Sequence, residues 1–378
     1  MTVAIICDVL GKANNGTTIA ALNLINALKE RGHTVRVVCP DKERRGEPGW
    51  YVVPRYHFGP LQGYMEKNGV APAKLDRKVL ESAIKDADII HVMLPFALGK
   101  AAARYAVAHG IPLTAGFHCQ AENITSHLHL QNVPAVNRLT YRILYRRLYR
   151  YCDCIHYPTQ FICDVFEQVV GPTPHRVISN GVSRIFAQES APSERQGFTV
   201  LSIGRFSREK RLDVLIDAVA LSRHSREIRL VLAGTGPLKN KLLRRAQKRN
   251  IPLPIMEFYN REELTGAIRS ADLYVHPAEI EIEAIACLEA ISCGKTPLIA
   301  DAPRSATRYF ALTEKNLFRV NDPGDLAKRM DWWLEHPEER AENAKRYLGY
   351  ARQFDFDRCM EEMERMLKDT VEEKRNEA

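Results

Sequence analysis

The chain has 378 residues, 45% of them hydrophobic and 26% charged. That is room for two domains with a core each, in the composition of an ordinary globular protein. Its nine cysteines are scattered without a C-x-x-C pair, so no zinc framework or disulfide pattern follows and a reducing cytoplasm fits best. No apolar run reaches the roughly 18 residues of a spanning helix, and MTVAIICDVL is too short, and broken by Asp8, for a signal peptide. The net charge of +8 falls wholly in residues 1–186, where 22 Lys and Arg face 14 Asp and Glu. Such an excess suits a half that meets something anionic, and equally a plain solubility surface.

Taken in chain order, Val3–Cys7 reads as a strand. TIAALNLINALKERGH follows as a helix, with Ile19, Leu22, Ile25 and Leu28 at helical spacing, Lys29 and Arg31 in the last turn and Gly32 as the stop. TVRVVCP, DIIHVML and PLTAGF are further strands, with ALGKAAARYAVAHG a helix between the last two. SRIFAQESAPSERQG is polar, with Pro192 and Gly197, and reads as a linker. FTVLSIG, RLDVLIDAVALS, IRLVLAG, PLKNKLLRRAQKRN, DLYVHP, IEAIACLEAISCG and TPLIA then restart the alternation, and from about Asp322 the chain reads as helical. Strands separated by helices of this length imply right-handed βαβ units and a parallel sheet. The expected architecture is two doubly wound α/β domains facing across a cleft, residues 1–186 and 198–345, joined by a linker at 187–197. Helices of residues 346–378 would pack back on the first domain. Ligands of such sheets bind beyond the carboxyl ends of the strands.

Three turns have phosphate-binding chemistry. GKANNGTT opens a helix, but Thr17 stands where a P-loop needs lysine, so triphosphate hydrolysis of that kind is not expected. Gly16 and Thr17 still present helix N-terminal N–H groups to an anion, although a plain turn with a threonine cap has the same sequence. SIGRFSREKR sets Gly204 and Arg205 at a strand end and Lys210 five residues on, a planar fork and a mobile point charge suited to a diphosphate. AGTGPL brings Gly236 to a tight turn where backbone can approach a ligand.

The stretch AEIEIEAIACLEAISCG holds Glu279, Glu281, Glu283 and Glu289 in an otherwise apolar or small run, and buried charges need partners. In the order SNGV, GRFSREK, LAGTGPL, EIEAIACLEAISCG, the whole chain resembles glycosyltransferase family 4, the retaining GT-B enzymes with Rossmann-like domains that use nucleotide sugars. The resemblance implies that Glu281 and Glu289, at Glu-x7-Glu spacing, hold the donor sugar and ribose hydroxyls. With the helix beginning near Glu283, Glu289 lies about two turns inside, and Ala284 and Ile285 offer their N–H groups to the diphosphate. Arg205 and Lys210 stabilise the leaving group. The resemblance also implies that His118, past a first-domain strand, contacts the donor. Glu279 is expected to be solvated. Ile282-Glu283-Ala284 departs from the Gly-Phe-Gly common in relatives, and Glu283 must turn from the diphosphate, as a first-turn acid favourable to the helix dipole. No cofactor beyond the donor, taken as UDP-glucose, and no metal is implied. His127 and His129 are expected to be surface residues.

Arg138 to Arg150 reads RLTYRILYRRLYR. Arg138, Arg142, Arg146 and Arg150, with Arg147, form a basic stripe beside Tyr141, Tyr145 and Tyr149. Such interleaving suits an anionic membrane surface; the same spacing also suits a helix with tyrosines packed inward. HCQAENITSH and YPTQFICDVFE are similar to bacterial diacylglycerol glucosyltransferases. The expected reaction is therefore transfer of a hexose, glucose, to a membrane-lipid hydroxyl at the inner face of the cell membrane. A soluble sugar or polysaccharide acceptor is the first alternative; a GT-B-fold nucleotide-sugar epimerase or a basic nucleic-acid-binding protein is the alternative of another class. A nucleic-acid partner is not expected, because no binding motif is recognisable. The oligomeric state is left open.

Overall fold

The computed structural model describes residues 1–11, 16–57, 59, 72–187 and 197–377, with His127 described in its backbone only. The chain divides into two units: Met1–Asn180 with Asp357–Ala378, and Gly181–Phe356.

The first unit holds seven parallel strands: β1 (Thr2–Ile6), β2 (Thr34–Cys39), β3 (Trp50–Val52), β4 (Ile89–Val92), β5 (Leu113–Gly116), β6 (Cys154–Tyr157) and β7 (His175–Val177), in the order β3-β2-β1-β4-β5-β6-β7. β4, β5 and β6 are buried at every residue, as strands covered by helices on both faces must be. Asp8, just past β1, serves this packing. Its carboxylate accepts from Leu98 N at 2.9 Å and Gly99 N at 3.3 Å, at the start of the helix Ala97–His109. Burial pushes the carboxyl up to about 7 against the pull of those amides. Gly99 is required there, because a Cβ would lie 2.3 Å from the Leu94 carbonyl oxygen.

The helix Phe356–Glu377 completes this unit. It buries Met360, Met363, Met366, Leu367 and Val371. Glu364 meets Arg31 at 3.4 Å and His33 at 2.9 Å, and Lys374 meets Asp153 at 2.7 Å.

The second unit continues with β8 (Phe198–Ile203), β9 (Ile228–Ala233), β10 (Ile255–Glu257), β11 (Leu273–His276), β12 (Ile280–Glu281), β13 (Pro297–Asp301), β14 (Arg304–Ser305) and β15 (Leu317–Arg319). Six of these form a parallel sheet in the order β10-β9-β8-β11-β13-β15, and β12 pairs with β14. Alternate residues serve opposite faces. Val200 and Leu232 join the core that holds Leu215 and Trp333; Leu201 and Tyr274 join the one that holds Leu288 and Tyr347. The stretch read as a linker begins differently from expectation. Arg184–Ala187 is a short helix whose Phe186 is fully buried in the core of this unit, so apolar burial overrides the polar composition around it. Residues 188–196 lie outside the described ones.

Candidate functional site

The turns after β8, β9 and β11 gather at one edge of the second sheet. Gly204, Gly234 and Gly236 have φ of 151°, 150° and 159°, a region that excludes side chains. The turns press on each other: a Cβ on Gly236 would lie 2.6 Å from Phe206 N, and Phe206 N donates to Thr235 O at 2.9 Å. Lys210 lays its aliphatic stem over Gly204.

Both cations of the turn after β8 carry an acid. Arg205 Nη2 lies 3.1 Å from Glu209 Oε1, which also accepts the Ser207 hydroxyl. Burial opposes the charge on Glu209, yet Ser207 and Arg205 hold its carboxyl below the ordinary value. Lys210 Nζ pairs with Glu281 Oε1, and His276 Nε2 lies 3.2 Å from the same oxygen. Burial would push Glu281 up, but the Lys210 ammonium and His276 overcome it and hold the carboxyl at about 2. The backbone ties the two turns together, Glu279 N donating to Glu209 O at 2.8 Å.

The four acids of the apolar run are placed differently from one another. The helix spans Ile285–Ser292, with Ala284 as its N-cap at φ 61°. It starts two residues later than expected. Glu281 stands in β12, and Glu289 is one turn inside, not two. Glu289 is buried, and burial pushes its carboxyl up to about 7 although Arg261 pulls it down. Glu283 precedes the N-cap and is buried, so it is not a first-turn acid. Glu279 is half-buried and paired rather than simply solvated: it meets Arg304 and lies 3.6 Å from Arg211. Sequence spacing does not reveal those arginines, because Arg304 arrives on the separate strand β14. Gly204, Arg205, Lys210, Gly236, Glu281, Ala284, Ile285 and Glu289 thus all belong to the second unit. Sequence reasoning missed Glu209 and His276. The signal for His276 was its alternation with Tyr274 along β11, which puts both on one face.

Gly16, Thr17 and His118 belong to the first unit. Gly16 and Thr17 open the helix Gly16–Glu30, and Lys12–Asn15 of the expected phosphate loop lie outside the described residues. The His118 ring covers Gly116 and meets the His156 ring edge-on, centroids 5.8 Å apart. Burial keeps His118 well below the ordinary histidine range, and holds His91 at about 3 and His156 at about 4. All three are neutral at physiological pH.

The Arg/Tyr helix runs Pro134–Arg147, and Tyr149 and Arg150 follow it in the one-turn 3-10 helix Tyr149–Tyr151. The tyrosines of the two correct the expectation of an aromatic membrane stripe. Tyr141 is buried and donates to the buried Glu122 at 2.8 Å, Tyr149 is buried against Phe117, and the Tyr145 ring meets Phe166 edge-on. The outer side carries Arg138, Arg142, Arg146, Arg147 and Arg150, with Leu139 57% and Ile143 39% exposed among them. His129 is exposed, as expected. Among the described residues one group has metal-ligand chemistry: Cys163, Glu167 and His175. Both ring nitrogens of His175 are engaged there, Nδ1 by Glu167 and the Thr173 carbonyl, Nε2 by the Cys163 thiol at 3.6 Å.

Two parallel-sheet units, each with helices on its faces, are the architecture of the GT-B fold. Family models match along the chain, Glycosyltransferase Family 4 over residues 14–184 and Glycosyl transferases group 1 over residues 183–350. The chain belongs to glycosyltransferase family 4. It is similar to the alpha-monoglucosyldiacylglycerol synthase of Streptococcus pneumoniae, 23% identical over 325 residues that cover 79% of this chain and 71% of that one. A GDP-mannose-dependent alpha-mannosyltransferase of Corynebacterium glutamicum is 27% identical over 312 residues, 78% of this chain and 71% of that one. In fold the chain matches Anabaena HepE, crystallised with UDP-glucose, with a TM-score of 0.78 at 18% identity, over 98% of this chain and 100% of that one.

Proposed function

We propose that this glycosyltransferase moves glucose from UDP-glucose to the hydroxyl of a membrane lipid such as diacylglycerol, with retention at the anomeric carbon. The observation that carries the donor half is the edge of the second unit: Arg205 and Lys210, each beside a carboxylate, in the unit whose helix Ile285–Ser292 starts just past Glu281. Arg205 and Lys210 grip the diphosphate, and the N–H groups at the helix start add a fixed partial charge. Glu281 accepts the sugar hydroxyls and Glu289 the ribose hydroxyls. The glycines let backbone approach the phosphates without side chains in the way.

In the reaction the acceptor oxygen forms its bond to the anomeric carbon on the face the diphosphate leaves. The bond from that carbon to the phosphate oxygen breaks, and the acceptor proton passes to a phosphate oxygen. Charge grows on the leaving diphosphate, where two preorganised cations act most strongly. No metal is assigned a role.

The lipid half rests on the exposed arginine face with Leu139 and Ile143, and on the lipid named for the pneumococcal relative. Among the described residues no helix is long and apolar enough to cross a membrane, so the proposed association is peripheral, at the cytoplasmic face. A donor of the GDP-mannose type is the second reading, favoured by the corynebacterial relative. Incubation with a panel of nucleotide sugars and either membrane lipids or soluble sugars, followed by product mass, decides between them. A hexosyl lipid formed from UDP-glucose is expected. Product only on soluble sugars would end the lipid reading.

A further inference from the structure

We propose that Cys163, Glu167 and His175 form a zinc site that clamps the helix Gln160–Val170 to the edge strand β7. Cys163 and Glu167 stand four residues apart on that helix and so share one face, and His175 opens β7, the last strand of its sheet. Their ligand atoms all lie within 4.8 Å of one another. The ring's tautomer is set by its neighbours. His175 Nδ1 lies 2.9 Å from the Thr173 carbonyl oxygen and 3.0 Å from Glu167 Oε1, and both of these accept. Nδ1 therefore carries the ring hydrogen, and the Nε2 lone pair faces Cys163 Sγ at 3.6 Å. That separation fits a shared metal. With zinc about 2.3 Å from a thiolate and about 2.0–2.1 Å from an imidazole nitrogen, a tetrahedral angle sets sulfur and nitrogen about 3.6 Å apart. The supporting partners are also in place. A ligating histidine donates its other N–H to a carbonyl or carboxylate, and here Thr173 holds Glu167 Oε1 through its N–H at 2.9 Å and its hydroxyl at 2.7 Å. A carboxylate has about four acceptor positions, so Glu167 keeps room for a metal. Cys163 is buried, whereas the Glu167 and His175 side chains are 21% and 31% exposed, which gives water access to the fourth position. A thiolate beside an imidazole selects zinc over magnesium or calcium, which prefer oxygen. On binding, the Sγ–H bond breaks, sulfur keeps the electron pair and bonds zinc, and the proton leaves to solvent. No step of the sugar transfer passes through this site.

The experiment titrates the full chain, free of any tag and stripped with a chelator, with zinc in a calorimeter, in two buffers of different ionisation enthalpy. One zinc per chain is expected, with release of the thiol proton. At a hundredfold excess over its dissociation constant, zinc is expected to raise the melting temperature by about 5–10 °C. Cys163→Ser and His175→Gln are each expected to weaken binding more than about 100-fold, since loss of a partner behind a ligand already costs about 10- to 100-fold. Cobalt in place of zinc is expected to give a thiolate charge-transfer band in the wild type and to lose it in either variant. Wild-type protein that binds no zinc, or affinity left unchanged by either folded variant, would overturn the proposal. Should one variant unfold, the other decides with cobalt: a band present in the wild type and lost in the folded variant supports the site, and a band absent from the wild type or kept in that variant overturns it.

Discussion

Glu289 sits in the apolar half of its helix with its carboxyl pushed up to about 7 by burial. Ribose hydroxyls donate to a carboxylate and so favour the ionised form. Donor binding is then linked to loss of a proton, and the sign follows: affinity rises as pH rises through 7 and levels off above it. UDP-glucose is the suitable probe, since its diphosphate has no proton to lose in that range. Its affinity is expected to fall by up to about tenfold per unit below pH 7, and Glu289→Gln is expected to flatten the profile. A wild-type affinity that is constant from pH 6 to 8 would remove Glu289 from the ribose. Arg205 gives a blunter test. Arg205→Ala is expected to reduce turnover about 100- to 1,000-fold, the scale seen when one transition-state donor is removed, with the melting temperature little changed. Near-normal turnover would take Arg205 out of the site. Four acids in an apolar run were visible as an anomaly, and the spacing of Glu281 and Glu289 as a motif. Their individual partners were not. Lys210 and His276 reach Glu281 from two other strand ends, and Arg304 reaches Glu279 from β14. Such pairings are made by the sheet order, which spacing along the chain does not contain.

At the scale of the element, the helix Pro134–Arg147 shows what a period of four leaves undecided. Arginines and tyrosines recur together, so the spacing alone places both stripes without saying which one is buried. Packing decided it: Tyr141 finds a buried acceptor in Glu122 and Tyr149 a ring in Phe117. The arginines then face outward with Leu139 and Ile143. Each arginine near an anionic surface contributes about 1 kcal/mol. The protein is expected to float with vesicles rich in anionic lipid at low salt, and Arg142→Ala/Arg146→Ala/Arg147→Ala to lose most of that binding. Failure of the wild type to bind such vesicles would end the membrane proposal. The helix Ile285–Ser292 offers a second test. Its N-cap, Ala284, takes the left-handed conformation, which costs a residue with a Cβ roughly 1–2 kcal/mol. This is the position where relatives commonly carry the second glycine of Gly-Phe-Gly, so the departure in this chain keeps the backbone shape and accepts that cost. Ala284→Gly is expected to raise the melting temperature by about 2–4 °C. A lower melting temperature would contradict the assigned conformation.

For the whole molecule, two parallel sheets were legible because each strand is a short apolar run followed by a helix and a turn. The helix Phe356–Glu377 belongs with the first 180 residues through contacts such as Arg31 to Glu364, and the five large apolar side chains it buries there recur at helical spacing along an otherwise polar stretch. At about 1.5–3 kcal/mol each, these are comparable with the whole stability of a domain. A chain ending at Asp355 is expected to lose the folded first unit, read as greatly increased exchange of the β1 and β4 amides. Native protection in that truncated chain would contradict the account. The claim on which the function depends is that one edge of the second unit receives the diphosphate of a nucleotide sugar. A crystal structure with UDP tests it most directly. The diphosphate is predicted against Arg205, Lys210 and the backbone at Ala284–Ile285, with the ribose on Glu289; UDP bound elsewhere, with that edge empty, would contradict it.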